Sequence, residues 1–216
     1  MRSHIHRQRG FSFIEILIVM GIIVMLAGMV VVATQIWGRK GPEFLTKARL
    51  QKVQAGIGEW KRAYEAYPPT NPTDIPKYAM SGPSAVKGMQ NKSNLGIESV
   101  VLCLYWQGFN YDPQLQEDEF INTDEDELRK PVDKYGINAL REIRDEWGNP
   151  FIYIDSRSYA KVDGDPARYT TEFGDVEAKP WRNEDGTFAQ PMSFQLFSMG
   201  PDGEPNTDDD IRAWAN

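Results

Sequence analysis

The chain has 216 residues, enough for one domain and an appendage, with 31 acidic side chains against 24 lysines and arginines and a formal charge of -7. That acidic balance argues against a nucleic-acid partner. The single cysteine, Cys103, excludes an internal disulfide, and both histidines, His4 and His6, fall in the first six residues, which removes most hydrolase and zinc chemistry.

Arg2, Arg7 and Arg9 lead into RGFSFIEILIVMGIIVML, residues 9–26, and from 16 to 33 no side chain is charged or strongly polar. An apolar helix of about 18–20 residues is long enough to span a bilayer. By the positive-inside rule the arginine end stays in the cytoplasm and the bulk of the chain is exported. The residues around Ala33 and Thr34 make a poor secretory cleavage site, so the anchor, 11–37, is expected to stay attached. Glu15 breaks the pattern. A lone carboxylate at membrane depth costs on the order of 2.5–3.5 kcal/mol, so it calls for a partner.

Gly41-Pro42 then interrupts or kinks the helix, and EFLTKARLQKVQAGIGEWKRAYEAY resumes it over 43–67 as an amphipathic segment. Leu45, Ala48, Val53, Ile57, Trp60, Tyr64 and Tyr67 share one stripe, expected to pack on the protein's own sheet, and Pro68-Pro69 stops the helix. Residues 68–144 are less regular. After a proline-punctuated loop, NLGIESVVLCLYW reads as a short buried helix capped by Asn94 and ending near Gly108, with Cys103 a small buried apolar residue. The acidic loop QEDEFINTDEDELRKP lacks an EF-hand glycine, and its carboxylates read as solvated.

Residues 145–216 read as β. The Gly148-Asn149-Pro150 turn launches a strand over 151–155, with further strands over 167–171 and 192–200 and a hairpin-type turn in NEDGT. The expected fold is α+β: a long N-terminal helix, transmembrane then amphipathic, packed on a small antiparallel β-sheet. The last strand runs into FSMGPDGEPNTDDDIRAW, residues 197–214. Ca²⁺ takes six to eight oxygen ligands, and a tight loop offers carboxylates together with carbonyls turned inward at Gly200 and Gly203. Asp, Gly, Asn and Pro are also ordinary turn formers. Three consecutive aspartates, Asp208 to Asp210, repel one another unless a cation lies between them, and Arg212 alone is a weak counter-ion. Mg²⁺ keeps its waters and suits such a cage less.

RGFSFIEILIVMGII resembles the class III signal of type IV pilins and type II secretion pseudopilins. The resemblance implies a leader, 1–10, cut between Gly10 and Phe11 by a prepilin peptidase that methylates Phe11, with Glu15 as the family's assembly glutamate. DEWGNPFIY looks like the strand opening of the major, G-type pseudopilin, and SMGPDGEPNTDDDI is similar to its calcium loop. The implied calcium ligands are Asp202 and one or two of Asp208, Asp209 and Asp210, Asp209 being favoured, with the carbonyls of Met199 and Glu204. The resemblance covers 1–67 and 145–216, leaving 68–144 as a variable insertion. Two departures stand out: Pro205-Asn206 replaces a loop glycine, and Val31-Val32 replaces a proline within the hydrophobic helix.

The reading that follows is a non-enzymatic, major-type pseudopilin. It would be a single-pass inner-membrane protein with a periplasmic C-terminal domain, self-assembling into a helical periplasmic filament with minor pseudopilins and the inner-membrane secretion platform. The amine of Phe11, on the same subunit or its neighbour, would be the partner of Glu15. The alternative is a type IV pilin for adhesion, motility or DNA uptake. A membrane-anchored enzyme would need a nucleophile and base, and no such pairing is legible.

Overall fold

A computed structural model of the chain describes residues 12–76, 92–105, 108–109, 111, 113–128 and 134–214, with the side chains of 30–39 outside the described set. The chain divides at Gly41/Pro42 into two units. Helix α1, Phe13–Tyr64, carries Pro42 inside it, so the interruption expected at Gly41-Pro42 is absent: the helix tolerates the missing proline N–H. In the first unit every large apolar side chain from Phe13 to Met29 is at least half exposed. Among the described residues no helix is long and apolar enough to cross a membrane; the expected span, 11–37, runs over residues outside that set.

In the second unit α1 ends at Tyr64 rather than Tyr67, because Glu65 turns into the left-handed conformation (φ 59°) while its N–H still reaches Lys61 O. Its buried face comprises Thr46, Arg49, Leu50, Val53, Ile57 and Trp60. The expected stripe is therefore shifted at its start: Leu45 is exposed. Arg49 takes an inward place because each of its three guanidinium nitrogens finds an acceptor, Nε donating to Glu119 at 2.7 Å, Nη1 to Arg144 O and Nη2 to Glu146, each at 2.5 Å.

The partners of this face are loop residues, Phe109 against Trp60 and Tyr111 near Gly56, together with a helix. Helix α2, Leu95–Tyr105, is apolar apart from Glu98 and Ser99, and ten of its eleven residues are buried, those two included. A Cβ on Gly56 of α1 would touch Leu104 at 3.0 Å, so the two helices approach closely there. On its other side α2 lies on strand β3, where a Cβ at Gly96 would stand 2.1 Å from Tyr153 O. Part of the segment set aside as an insertion thus forms the middle of the core.

Two short strands, β1 (Phe120–Ile121) and β2 (Glu142–Ile143), pair antiparallel. Strand β3 (Ile152–Asp155) leads through helix α3 (Tyr159–Gly164) to β4 (Ala167–Thr171) and β5 (Gly174–Ala178), followed by β6 (Phe194–Ser198) and β7 (Ile211–Arg212). The order β3-β6-β7 makes one antiparallel sheet, with Ile152 opposite Phe197 and Ser198 opposite Ile211, and β4-β5 makes a separate hairpin. Both β3 and β6 are buried along their whole length, one face of the sheet meeting α2. The strands expected at 151–155, 167–171 and 192–200 are present with slightly trimmed ends. The NEDGT turn closes the isolated Arg182–Phe188 bridge rather than joining two strands.

Candidate functional site

Gly10 and Phe11, the expected processing pair, lie outside the described residues. Beside them Ser12 caps α1: its carbonyl accepts the N–H groups of Glu15 at 3.0 Å and Ile16 at 3.3 Å. Glu15 Oε2 accepts the Ser12 N–H at 2.8 Å. The glutamate therefore has a local role, satisfying one of the orphan donors at a helix start and meeting the positive end of the helix dipole.

The C-terminal loop runs between β6 and β7. Gly200 and Gly203 adopt φ of 68° and 70°, where a Cβ is strained, and Gly200 lies so close to Asp209 that a Cβ would come within 2.6 Å of its carbonyl oxygen. Asn206, at the departure noted from the expected loop glycine, takes the same left-handed conformation (φ 68°). Its side chain compensates by accepting from Lys179 N and donating to Lys179 O, both at 2.9 Å. The path that glycine would allow is thus open to asparagine.

The loop gathers some of the expected ligands. Asp209 Oδ2 accepts Asp202 N–H at 3.3 Å, Asp209 Oδ1 accepts the Thr207 hydroxyl at 2.6 Å, and Asp202 Oδ1 accepts Glu204 N–H at 2.8 Å. Burial acts to raise the Asp209 carboxyl, but the hydrogen bonds from Thr207 and Asp202 outweigh it and hold the group below the usual range. Asp210 Oδ2 takes Asn206 N–H at 2.9 Å and Trp181 Nε1–H at 3.2 Å, while its Oδ1 is buried without a hydrogen-bond partner. Burial first, then the charges of Asp209 and Asp202, push Asp210 up to about 7 against those two hydrogen bonds. Asp208 and Glu204 are exposed, and the Glu204 carbonyl stands 3.2 Å from Thr207 Oγ1, whose one proton goes to Asp209; Met199 is fully buried. Asp202, Asp209 and Asp210 offer hard oxygen donors and one Asp210 oxygen is unpartnered, but the three acids do not bring their carboxylate oxygens within 4.8 Å of one another.

The loop leans on the turn that opens the sheet. Asp145, 1% exposed, accepts the N–H groups of Trp147 and Asn149 at 2.9 Å through Oδ1 and the Ser198 hydroxyl at 2.6 Å through Oδ2. Asn149 Nδ2 donates to Gly200 O at 3.3 Å.

A second acidic site was not legible in the sequence. Among the described residues, the trio of acids whose carboxylate oxygens all lie within 4.8 Å of one another is Glu98 of α2, Asp124 and Glu142 of β2. Asn94 organises it: its Nδ2 donates to Glu142 and to Thr123, each at 2.8 Å, and its Oδ1 accepts Thr170 N–H at 2.9 Å. The asparagine expected to cap α2 is thus a cross-link between three segments, in the left-handed conformation (φ 55°), because its side chain is spent on tertiary partners. Nor is the acidic loop wholly solvated: Glu119 is buried against Arg49. Cys103 is fully buried, and burial pushes its thiol well up, away from nucleophilic chemistry.

No curated protein and no solved structure matches the chain. Residues 5–31 match the prokaryotic N-terminal methylation motif. The N-terminal segment thus bears the prepilin-type signature of type IV pilin-like proteins, and that motif implies processing by a prepilin peptidase.

Proposed function

We propose that the chain is a major-type pseudopilin, a structural and non-enzymatic subunit of a type II secretion filament. The supporting observation is the pairing of the methylation motif over 5–31 with a helix whose large apolar side chains from Phe13 to Met29 are all at least half exposed. Such a surface is unfavourable in water; it needs hydrocarbon before assembly and neighbouring helices afterwards. In this reading the peptidase cuts after Gly10, Phe11 is methylated, and residues 11–37 hold the subunit in the inner membrane with its C-terminal domain in the periplasm. Subunits then pass into a helical filament through the secretion platform, with minor pseudopilins as partners.

Glu15 fits this role on local grounds. Its carboxylate already rests on the amide joining Phe11 to Ser12, one residue from the amine that cleavage creates. Pairing with that amine, in the same subunit or the next, neutralises it in the apolar bundle and sets register. Glu15→Leu is expected to abolish or misregister filaments by electron microscopy. Normal filaments from that variant would remove the pairing as the organising interaction.

Secretion rather than adhesion or DNA uptake is supported by the DEWGNP turn and the SMGPDG…DDDI loop, and the acidic net charge disfavours DNA. Calcium belongs in that loop, with Asp202, Asp209 and Asp210 as its carboxylate ligands and Asp208, Met199 and Glu204 at its edge. Calcium is expected to raise the melting temperature of residues 43–216, and Asp202→Ala to abolish the rise. An unchanged melting temperature at millimolar calcium would refute the cation.

A further inference from the structure

The DEWGNP turn and the C-terminal loop are separated by about fifty residues, yet the turn reaches both peptide groups of Gly200, the carbonyl directly through Asn149 and the N–H through Ser198 of β6. Its N–H donates to Ser198 Oγ at 3.0 Å, and that hydroxyl donates its one proton to Asp145 Oδ2 at 2.6 Å. Its carbonyl accepts Asn149 Nδ2 at 3.3 Å. Asn149 is fixed in turn, its N–H on Asp145 Oδ1 at 2.9 Å and its carbonyl taking Asp145 N–H at 2.8 Å, and it is 2% exposed. A Cβ on Gly203 would meet the Asn149 amide at 3.5 Å, so the loop folds over this side chain.

Gly200 is also where the loop closes on Asp209, a Cβ there standing 2.8 Å from Asp209 Oδ2, the oxygen that accepts Asp202 N–H. The placement of Gly200 therefore decides where the two acids meet. The turn itself is anchored: Glu146 N–H donates to Thr46 Oγ1 at 3.2 Å, and the Glu146 carboxylate pairs with Arg49. Were the turn only a sheet starter, nothing would require a buried amide side chain to reach across to Gly200.

We propose that the Asp145–Pro150 turn is the positioning element of the C-terminal loop, and that Asn149 holds Gly200 where Asp202 and Asp209 can share a divalent cation. The proposal rests on the cation reading of that loop. Removing an outer-shell group that orients a metal ligand typically costs roughly ten- to a hundredfold in affinity.

The test uses the full chain in detergent micelles, with Asn149→Ala and the near-isosteric Asn149→Asp, which keeps the shape and the backbone bonds but lacks the donor. Both are expected to bind calcium roughly ten- to a hundredfold more weakly by calorimetry. Amide exchange is expected to accelerate over 199–210 while α2 and β3 keep their protection. A merely structural role would lower the melting temperature with and without calcium alike; positioning shrinks the calcium-induced increment. Calcium binding equal to wild type in both variants overturns the proposal. If the wild type itself binds no calcium, the cation reading falls, and exchange over 199–210 still decides the clamp: acceleration sustains it and no acceleration overturns it.

Discussion

Glu142 offers the sharpest energetic test of the core. Its side chain is fully buried on β2, with Oε1 accepting from Asn94 Nδ2 at 2.8 Å and Oε2 from Thr123 N–H at 3.2 Å, and with Glu98 and Asp124 oxygens within 4.8 Å. Burial above all, with the Asp124 charge adding to it, pushes this carboxyl to about 8 against the hydrogen bonds from Asn94 and Thr123; its ordinary value is 4.5. Between those two values the folded chain keeps a proton that the unfolded chain gives up. Stability is therefore full below about pH 4.5 and is lost as pH rises toward 8. At about 1.4 kcal/mol per unit the whole window amounts to at most about 5 kcal/mol, and sharing of charge among the three carboxyls brings the observable part to roughly 2–3 kcal/mol. Glu142→Gln cannot ionise, but its Nε2 must face either Asn94 Nδ2 or the Thr123 N–H, donor against donor, so the variant is expected to start weaker at pH 5. In chelator, so that no cation stands in for the proton, urea unfolding followed by circular dichroism from pH 5 to 9 is expected to show the wild type losing stability with pH and the variant losing less, the gap between them changing in the variant's favour by that amount. Parallel pH profiles would refute the reasoning.

Gly96→Ala forces a Cβ to 2.1 Å from a backbone oxygen of β3, a cost of about 3 kcal/mol, and should lower the melting temperature by roughly 6–12 °C; no change would mean that α2 does not rest on β3. Arg49→Met strands Glu119 and Glu146 and should cost about 3 kcal/mol, part of which Glu119→Gln restores; an additive double variant would contradict the buried pair. Because Asp210 is raised to about 7, a proton competes with calcium there, so calorimetry should show affinity weakening as pH falls from 8 to 6. A pH-independent affinity would remove Asp210 from the ligand set.

The strands legible in the sequence were those whose residues are apolar and bounded by turn formers: Ile152–Asp155 behind Gly148-Asn149-Pro150, and Phe194–Ser198 ahead of Gly200. Strand β5, Gly174–Ala178, carries two acids among its five residues and is mostly exposed, so only its pairing with β4 reveals it. Helix α2 was legible because a segment apolar except for Glu98 and Ser99 calls for burial, but its place between α1 and β3 was not. Local patterns failed where tertiary partners decide. Asn94 looked like a cap and is a three-way cross-link; Leu45 matched the stripe period, yet Arg49 holds the inward place through acids some 70 and 97 residues away. Glu98, Asp124 and Glu142 come from three segments with no shared motif. At the C-terminal loop the residue types were legible, whereas the dependence of Gly200 on Asp145, Ser198 and Asn149 is visible only in the folded chain.

The central claim is that this chain is cut and modified as a prepilin before it assembles. Intact mass and N-terminal fragment spectra of the protein from its native membrane test this most directly. The account requires a mature chain beginning at N-methylated Phe11, with residues 1–10 removed. A chain that keeps Met1 and an unmodified leader would contradict it.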